Sequence, residues 1–297
     1  MKFDPDWLER QYNNRARVPE SAQIMARWAE ASAQLRQRVP AHLDLAYGSH
    51  PSETLDVFLP PANGIHSDGP GKALAPVLFF VHGGWWRALD KSDHSWLAPA
   101  FCESGAVVVV PNYALCPAVS IEDIALQMTR ALAWTWRHAS QWGADPRRLV
   151  VAGHSAGGHL SAMLLSARWD QVDPHMPAHA VTHAVSLSGV FDLEPLRQTP
   201  FLQRDLRLTP ASVQRLSPVH FPPPTGALHA WAGSLESDEF FRHNRTIQER
   251  WGSQGVPTCQ AVPACNHFTI LDDFADPRGV SHRLTRRLLA SSPRSKP

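Results

Sequence analysis

Hydrophobic positions change their rhythm along the chain, and the changes mark out elements. In residues 1–40, Ile24, Trp28, Ala31 and Leu35 recur at spacings of four, three and four until Pro40, which predicts a helical arm with one buried face. Alternation follows: Leu43, Leu45 and Tyr47, then Leu55, Val57 and Leu59, two half-buried strands. The Gly/Pro/Asn-rich stretch 61–75 reads as an exposed loop, because strand patterning resumes directly after it.

From there the pattern is of short, wholly apolar runs: 76–81, 106–110, 149–152, 181–187, 227–232 and 258–262. Helical segments separate most of them. The segment at 121–140 is the plainest: Ser120 can cap it, Asp123 suits its first turn, and Ile124, Met128, Ala131 and Thr135 share a face. Unbroken β-branched strands alternating with helices predict a mostly parallel sheet covered on both faces, an α/β fold with an antiparallel edge at 42–60. Prolines at 195, 200, 210, 218 and 222–224 interrupt the alternation, so 190–226 is expected to pass over one end of the sheet. No internal repeat is present. The whole chain, 1–297, reads as one domain with an arm and an excursion.

Composition narrows the function classes. Of 297 residues, 43% are hydrophobic, enough for a large core, and the net charge of +1 leaves no electrostatic footprint for nucleic acid or an anionic membrane. The first residues lack the apolar stretch of a secretory signal, and the apolar runs are strand-sized, too short to span a membrane. Cys102, Cys116, Cys259 and Cys265 have neither metal-ligand spacing nor the density of a disulfide scaffold. A cytoplasmic chain with reduced thiols is expected.

The candidate chemistry starts at Gly153-His154-Ser155-Ala156-Gly157. Gly-x-Ser-x-Gly alone would arise in a chain this long about one time in ten from residue frequencies, so its setting decides. A short buried strand, 149–152, precedes it and an apolar helix follows, which is the strand–turn–helix of a nucleophile elbow. The turn is tight enough that a side chain at 153 or 157 would strike backbone. Ser155 is therefore the expected nucleophile. Strand 76–81 runs into His82-Gly83-Gly84-Trp85-Trp86, a segment that can offer N–H groups of Gly83, Gly84 or Trp85 to an oxyanion, with the Ala156 N–H opposite.

A base must follow the acid along the chain in this arrangement. Among sixteen histidines, His267 is the one in the loop directly after the last sheet strand. The acid is expected after strand 227–232, where Glu236, Asp238 and Glu239 compete. Ser237 looks like a helix N-cap, which would place Asp238 and Glu239 in a first turn, compensating the helix dipole. Glu236 is preferred, Asp238 held in reserve, and Asp192 ranks third. His175, His179 and His183 recur every four residues, but Pro174 and Pro177 forbid the helix that would make them ligands. Cys265 has no elbow before it.

These residues carry a resemblance. The chain resembles the kynurenine formamidase group of α/β-hydrolases over nearly its whole length. The likeness runs from Tyr12-Asn13-Asn14-Arg15 through His82-Gly83-Gly84-Trp85-Trp86, Lys91-Ser92 and Pro111-Asn112-Tyr113-Ala114-Leu115-Cys116-Pro117. It continues through Gly153 to Leu160, Gly233 to Phe240 and His267-Phe268. Trp85 stands where a tyrosine is more usual, and a Glu where animal members have Asp. The resemblance implies the α/β-hydrolase fold and a triad of Ser155, Glu236 and His267. It implies hydrolysis of N-formyl-L-kynurenine to formate and kynurenine with no metal and no organic cofactor. Trp85, Trp86 and Phe268 are expected to wall a small pocket for an aryl formamide. The rival on the same machinery is a short-acyl carboxylesterase; a non-catalytic ligand-binding member ranks last, since no triad residue is missing. Homodimerisation is compatible with all of these.

Overall fold

The computed structural model describes residues 3–61 and 74–291; most of the loop expected at 61–75 lies outside the described residues. Eight strands form one sheet: β1 (Ala41–Ala46), β2 (Thr54–Phe58), β3 (Ala75–Val81), β4 (Val107–Pro111), β5 (Ala144–His154), β6 (His183–Leu187), β7 (Ala227–Gly233) and β8 (Thr258–Val262). Their spatial order is β1-β2-β4-β3-β5-β6-β7-β8. The pairs β1/β2 and β2/β4 are antiparallel, and all pairs from β4 through β8 are parallel. The predicted antiparallel edge and parallel body are both present.

Among the described residues twelve α-helices accompany the sheet. The arm supplies α1 (Pro5–Tyr12), α2 (Asn14–Arg17) and α3 (Ser21–Arg36). Then come α4 (Ala98–Cys102), α5 (Ile121–His138) and α6 (Ala156–Ser166). The excursion carries α7 (Glu194–Arg197), α8 (Pro200–Leu206) and α9 (Pro210–Leu216). The last are α10 (Asp238–Gly255), α11 (Ile270–Ala275) and α12 (Val280–Ala290).

The period of two within each central strand sorts the core into two faces. Val77, Phe79 and Val81, with Val107, Val109, Leu149 and Val151, pack against Ile124 and Met128 of α5, Leu160 of α6 and Ile247 of α10. Leu78, Phe80, Val108, Val110, Val150 and Ala152 point the other way, against Ile24 and Trp28 of α3, Phe101 of α4, Phe274 of α11 and Leu289 of α12. Strands buried on both faces have no polar side to show, which is why the sequence runs unbroken there. Ser120 caps α5 with a reciprocal capping box to Asp123. β5 starts five residues earlier than the apolar run, and a register shift between Ala75 and Val77 of β3 takes up the extra segment around Pro146.

Every chemically interesting loop leaves the carboxyl edge of the parallel body. His82 follows β3, Ser155 follows β5, Glu236 lies just past β7, and His267 just past β8. Loops at this edge are where an open α/β sheet forms its crevice.

Candidate active site

The turn between β5 and α6 is forced by close packing. Ser155 has φ 55° and ψ −116°, a strained conformation for a residue with a side chain. Its N–H is tied to Leu187 O at 2.8 Å. A Cβ on Gly157 would lie 2.0 Å from Val81 O, and one on Gly153 would lie 2.2 Å from Gly157 O. Glycine at both positions lets α6 start directly against the ends of β3 and β5, so the Ser155 hydroxyl projects above the sheet.

Ser155 Oγ lies 3.1 Å from His267 Nε2, and His267 Nδ1 lies 2.7 Å from Glu236 Oε2. A carboxylate at Nδ1 fixes the proton there and leaves Nε2 to accept from the serine hydroxyl. The other carboxylate oxygen, Glu236 Oε1, accepts from the Ser188 hydroxyl at 2.5 Å and the Gly233 N–H at 2.6 Å. Glu236 is thus held by strand ends β6 and β7 and aimed at the imidazole. His154 sits against the same ring, centroids 4.8 Å apart, and is linked through Nε2 to His267 O at 2.7 Å. Burial, with the neighbouring His267 adding, pushes the His154 imidazole well below its ordinary pKa. A neutral His154 donates to that carbonyl and steadies the loop carrying His267.

The competing carboxylates lie elsewhere. Asp238 is exposed at the first position of α10. Asp192 accepts from Arg242 at 3.0 Å. Glu239 is not the surface dipole-compensating group expected from its position. It is 3% exposed, accepts from Arg242 at 2.7 Å and 2.9 Å, and accepts a hydrogen bond from the Tyr12 hydroxyl. Ser237 stands at the N-cap of α10, but its hydroxyl donates to Gln11 O. The arm docks there, which took both groups away from their local roles.

Beside Ser155 runs the loop 82–86. Gly84 has φ 105°, and Trp85 and Trp86 follow at φ 52° and 55°. Its carbonyls are turned away from the serine: Gly83 O accepts from the Tyr113 hydroxyl at 3.1 Å, Gly84 O from Arg87 N, and Trp86 O from Cys116 N. Among the described residues no acceptor takes the N–H of Gly83, Gly84, Trp85 or Ala156. Gly84 must be glycine, since a Cβ there would meet Ala88 O at 2.0 Å.

A cavity of about 430 Å³ opens above Ser155 and His267, within the range of small-molecule sites. Trp85 and Phe268 line it as expected. Trp86 does not. It is fully buried, edge-on to His159 with centroids 5.0 Å apart, because its backbone turn sends the indole into the core under α6. The arm's share of the walls was not foreseen, whereas the excursion 190–226 was expected over this end of the sheet. Tyr12, Asn13, Asn14, Arg15, Met25 and Trp28 come from the arm, and Phe201 and Asp205 from the excursion. Arg87, also in the wall, donates to Phe201 O at 2.9 Å, pairs with Asp205 and lies 5.5 Å over the Phe201 ring. Nothing local marked the arm's residues as pocket wall, whereas the proline-interrupted run 190–226 was the available sign for Phe201 and Asp205.

Among the described residues no group of three His, Cys, Asp or Glu side chains is placed to hold a metal, and His175, His179 and His183 form none. No helix is long and apolar enough to cross a membrane among them.

Residues 78–267 match the model of the alpha/beta hydrolase fold family. The chain is 28% identical to the kynurenine formamidase of Danio rerio, over 84% of this chain and 82% of that enzyme. It is 30% identical to an isoprenylcysteine alpha-carbonyl methylesterase of Arabidopsis thaliana, over 51% of this chain and 35% of that one. A crystal structure from a Silicibacter species, for which a thioesterase activity has been suggested, superposes with a TM-score of 0.77 at 28% identity, covering 94% of this chain and 97% of that one.

Proposed function

The chain belongs to the alpha/beta hydrolase fold family, and from that premise we propose that it is a serine hydrolase cleaving the formyl amide of N-formyl-L-kynurenine. The observation that carries the reading is the hydrogen-bonded line from Ser155 Oγ through His267 to Glu236, open to a cavity at the serine end. Similarity to a kynurenine formamidase over most of both chains supports the choice of substrate.

In this mechanism His267 Nε2 takes the Ser155 proton as Oγ attacks the formyl carbon. The tetrahedral oxyanion is met by the Ala156 N–H and by N–H groups of Gly83, Gly84 or Trp85, which no protein acceptor occupies among the described residues. The C–N bond breaks, the amine leaves with the proton from His267, and a formyl ester remains on Ser155. Water then gives a proton to His267 and its oxygen to the formyl carbon. Formate leaves and Ser155 recovers its proton. Glu236 keeps the imidazole in the productive tautomer and stabilises it when protonated.

Two measurements test this. Ser155→Ala is expected to lower kcat/KM by at least about 10⁴-fold; substantial residual turnover would end the mechanism. The substrate is tested by kcat/KM for N-formyl-L-kynurenine against short aryl esters. A preference for the esters by orders of magnitude would replace the formamidase reading with that of a short-acyl carboxylesterase.

A further inference from the structure

Two guanidinium groups line the cavity, and their surroundings differ. Arg87 is neutralised by Asp205. Arg15 is exposed, and the only partner of its guanidinium among the described residues is the Met25 thioether, Sδ at 3.9 Å, with no carboxylate in reach. Asn14, next along the same wall, is 5% exposed, and its amide nitrogen is buried without an acceptor. A buried donor without an acceptor is costly. The wall formed by the arm therefore carries one uncompensated positive charge at Arg15 and, at Asn14, an amide N–H pair without an acceptor among the described residues.

We propose that Arg15 and Asn14 form a subsite for a carboxylate carried by the substrate's leaving group. Arg15 supplies a planar pair of donors that fits a carboxylate, and Asn14 supplies a neutral donor beside it. The side of the substrate follows from the formamidase reading, on which this inference rests: a formyl group has no room for a carboxylate, so the charge must lie on the amine. The substrate class is an aryl formamide bearing a free carboxylate, not a neutral anilide.

The test compares charged and uncharged versions of one substrate. N-formyl-L-kynurenine is set against its carboxamide, and an aryl acetate with a propanoate chain on the ring against the matching propanamide. The wild-type chain should favour the acid of each pair at least about tenfold in kcat/KM, chiefly through KM, with the preference shrinking as salt screens the charge. Arg15→Gln should bring the ratio close to one, and Arg15→Glu should invert it. A ratio near one in the wild-type chain, or a ratio unchanged in both variants, overturns the subsite. Failure of the formamidase reading looks different: both formamides would stay inert while the acetates turn over, and the acetate pair would still decide the subsite.

Discussion

At the scale of single residues, the candidate site depends on which carboxylate faces His267. Glu236 does so from two hydrogen-bonded strand ends, whereas Asp238 is exposed at the start of α10. Glu236→Gln is expected to cut kcat by about 10³–10⁴-fold, because an amide can present the wrong partner to Nδ1. Asp238→Asn should stay within about twofold, as surface changes usually do. Steady-state kinetics on one substrate separates the two, and equal losses would refute the assignment. Glu236 was favoured from its distance after β7, and Ser155 and His267 from their flanking strands. Trp86 shows where such reading stops: a tryptophan beside Gly83 and Gly84 looks like pocket wall, and only the backbone turn decided that it enters the core.

At the scale of elements, local patterns were reliable where local energies dominate. The capping box of α5 satisfies a first-turn N–H through the Ser120 side chain on an exposed surface. Ser120→Ala should lower stability by about 1 kcal/mol in urea unfolding and leave kcat unchanged. The arm behaves differently. Its Tyr12 hydroxyl joins Glu239 and His243 of α10, 3.1 Å from His243 Nε2, in a buried network. Tyr12→Phe removes that hydroxyl from both partners and should cost about 1–3 kcal/mol, read as a lower urea midpoint. No change in the midpoint would mean that the arm is anchored by apolar contacts alone. Periodicity predicted a helical arm over 1–40, yet gave no sign that α1 and α2 form a pocket wall, because that depends on a partner more than two hundred residues away.

At the scale of the whole molecule, several histidines are buried where they remain neutral. Burial pushes His159 down to about 4 and His94 to about 3, and holds His154 and His243 well below their ordinary value. In the unfolded chain each titrates near about 6.5. Below that pH the unfolded state takes up protons that the folded state refuses, so stability is full above about pH 6.5 and falls as pH drops towards the folded values. Each such histidine adds up to about 1.4 kcal/mol per pH unit to the slope. Denaturant midpoints between pH 7 and pH 4.5 should therefore decline steeply, and His159→Gln should flatten the decline. A slope unaltered by that substitution would show that His159 takes no part in the acid sensitivity.

The sequence by itself determined the strands, the alternation that made them parallel, the tight turn at Ser155 and the placing of Ser155, Glu236 and His267 in loops after successive strands. These follow from hydrophobic periodicity, glycine sterics and the position of polar residues after apolar runs, all of which are local. Tertiary structure alone decided which face each tryptophan took, and that Glu239 is buried. It also decided that the arm lines the cavity, and that among the described residues Arg15 is left without a counter-charge while Arg87 is not. Those outcomes depend on groups far apart in sequence meeting at the carboxyl edge of one sheet. Their energies are set by desolvation and pairing, and both exist only once the chain has folded.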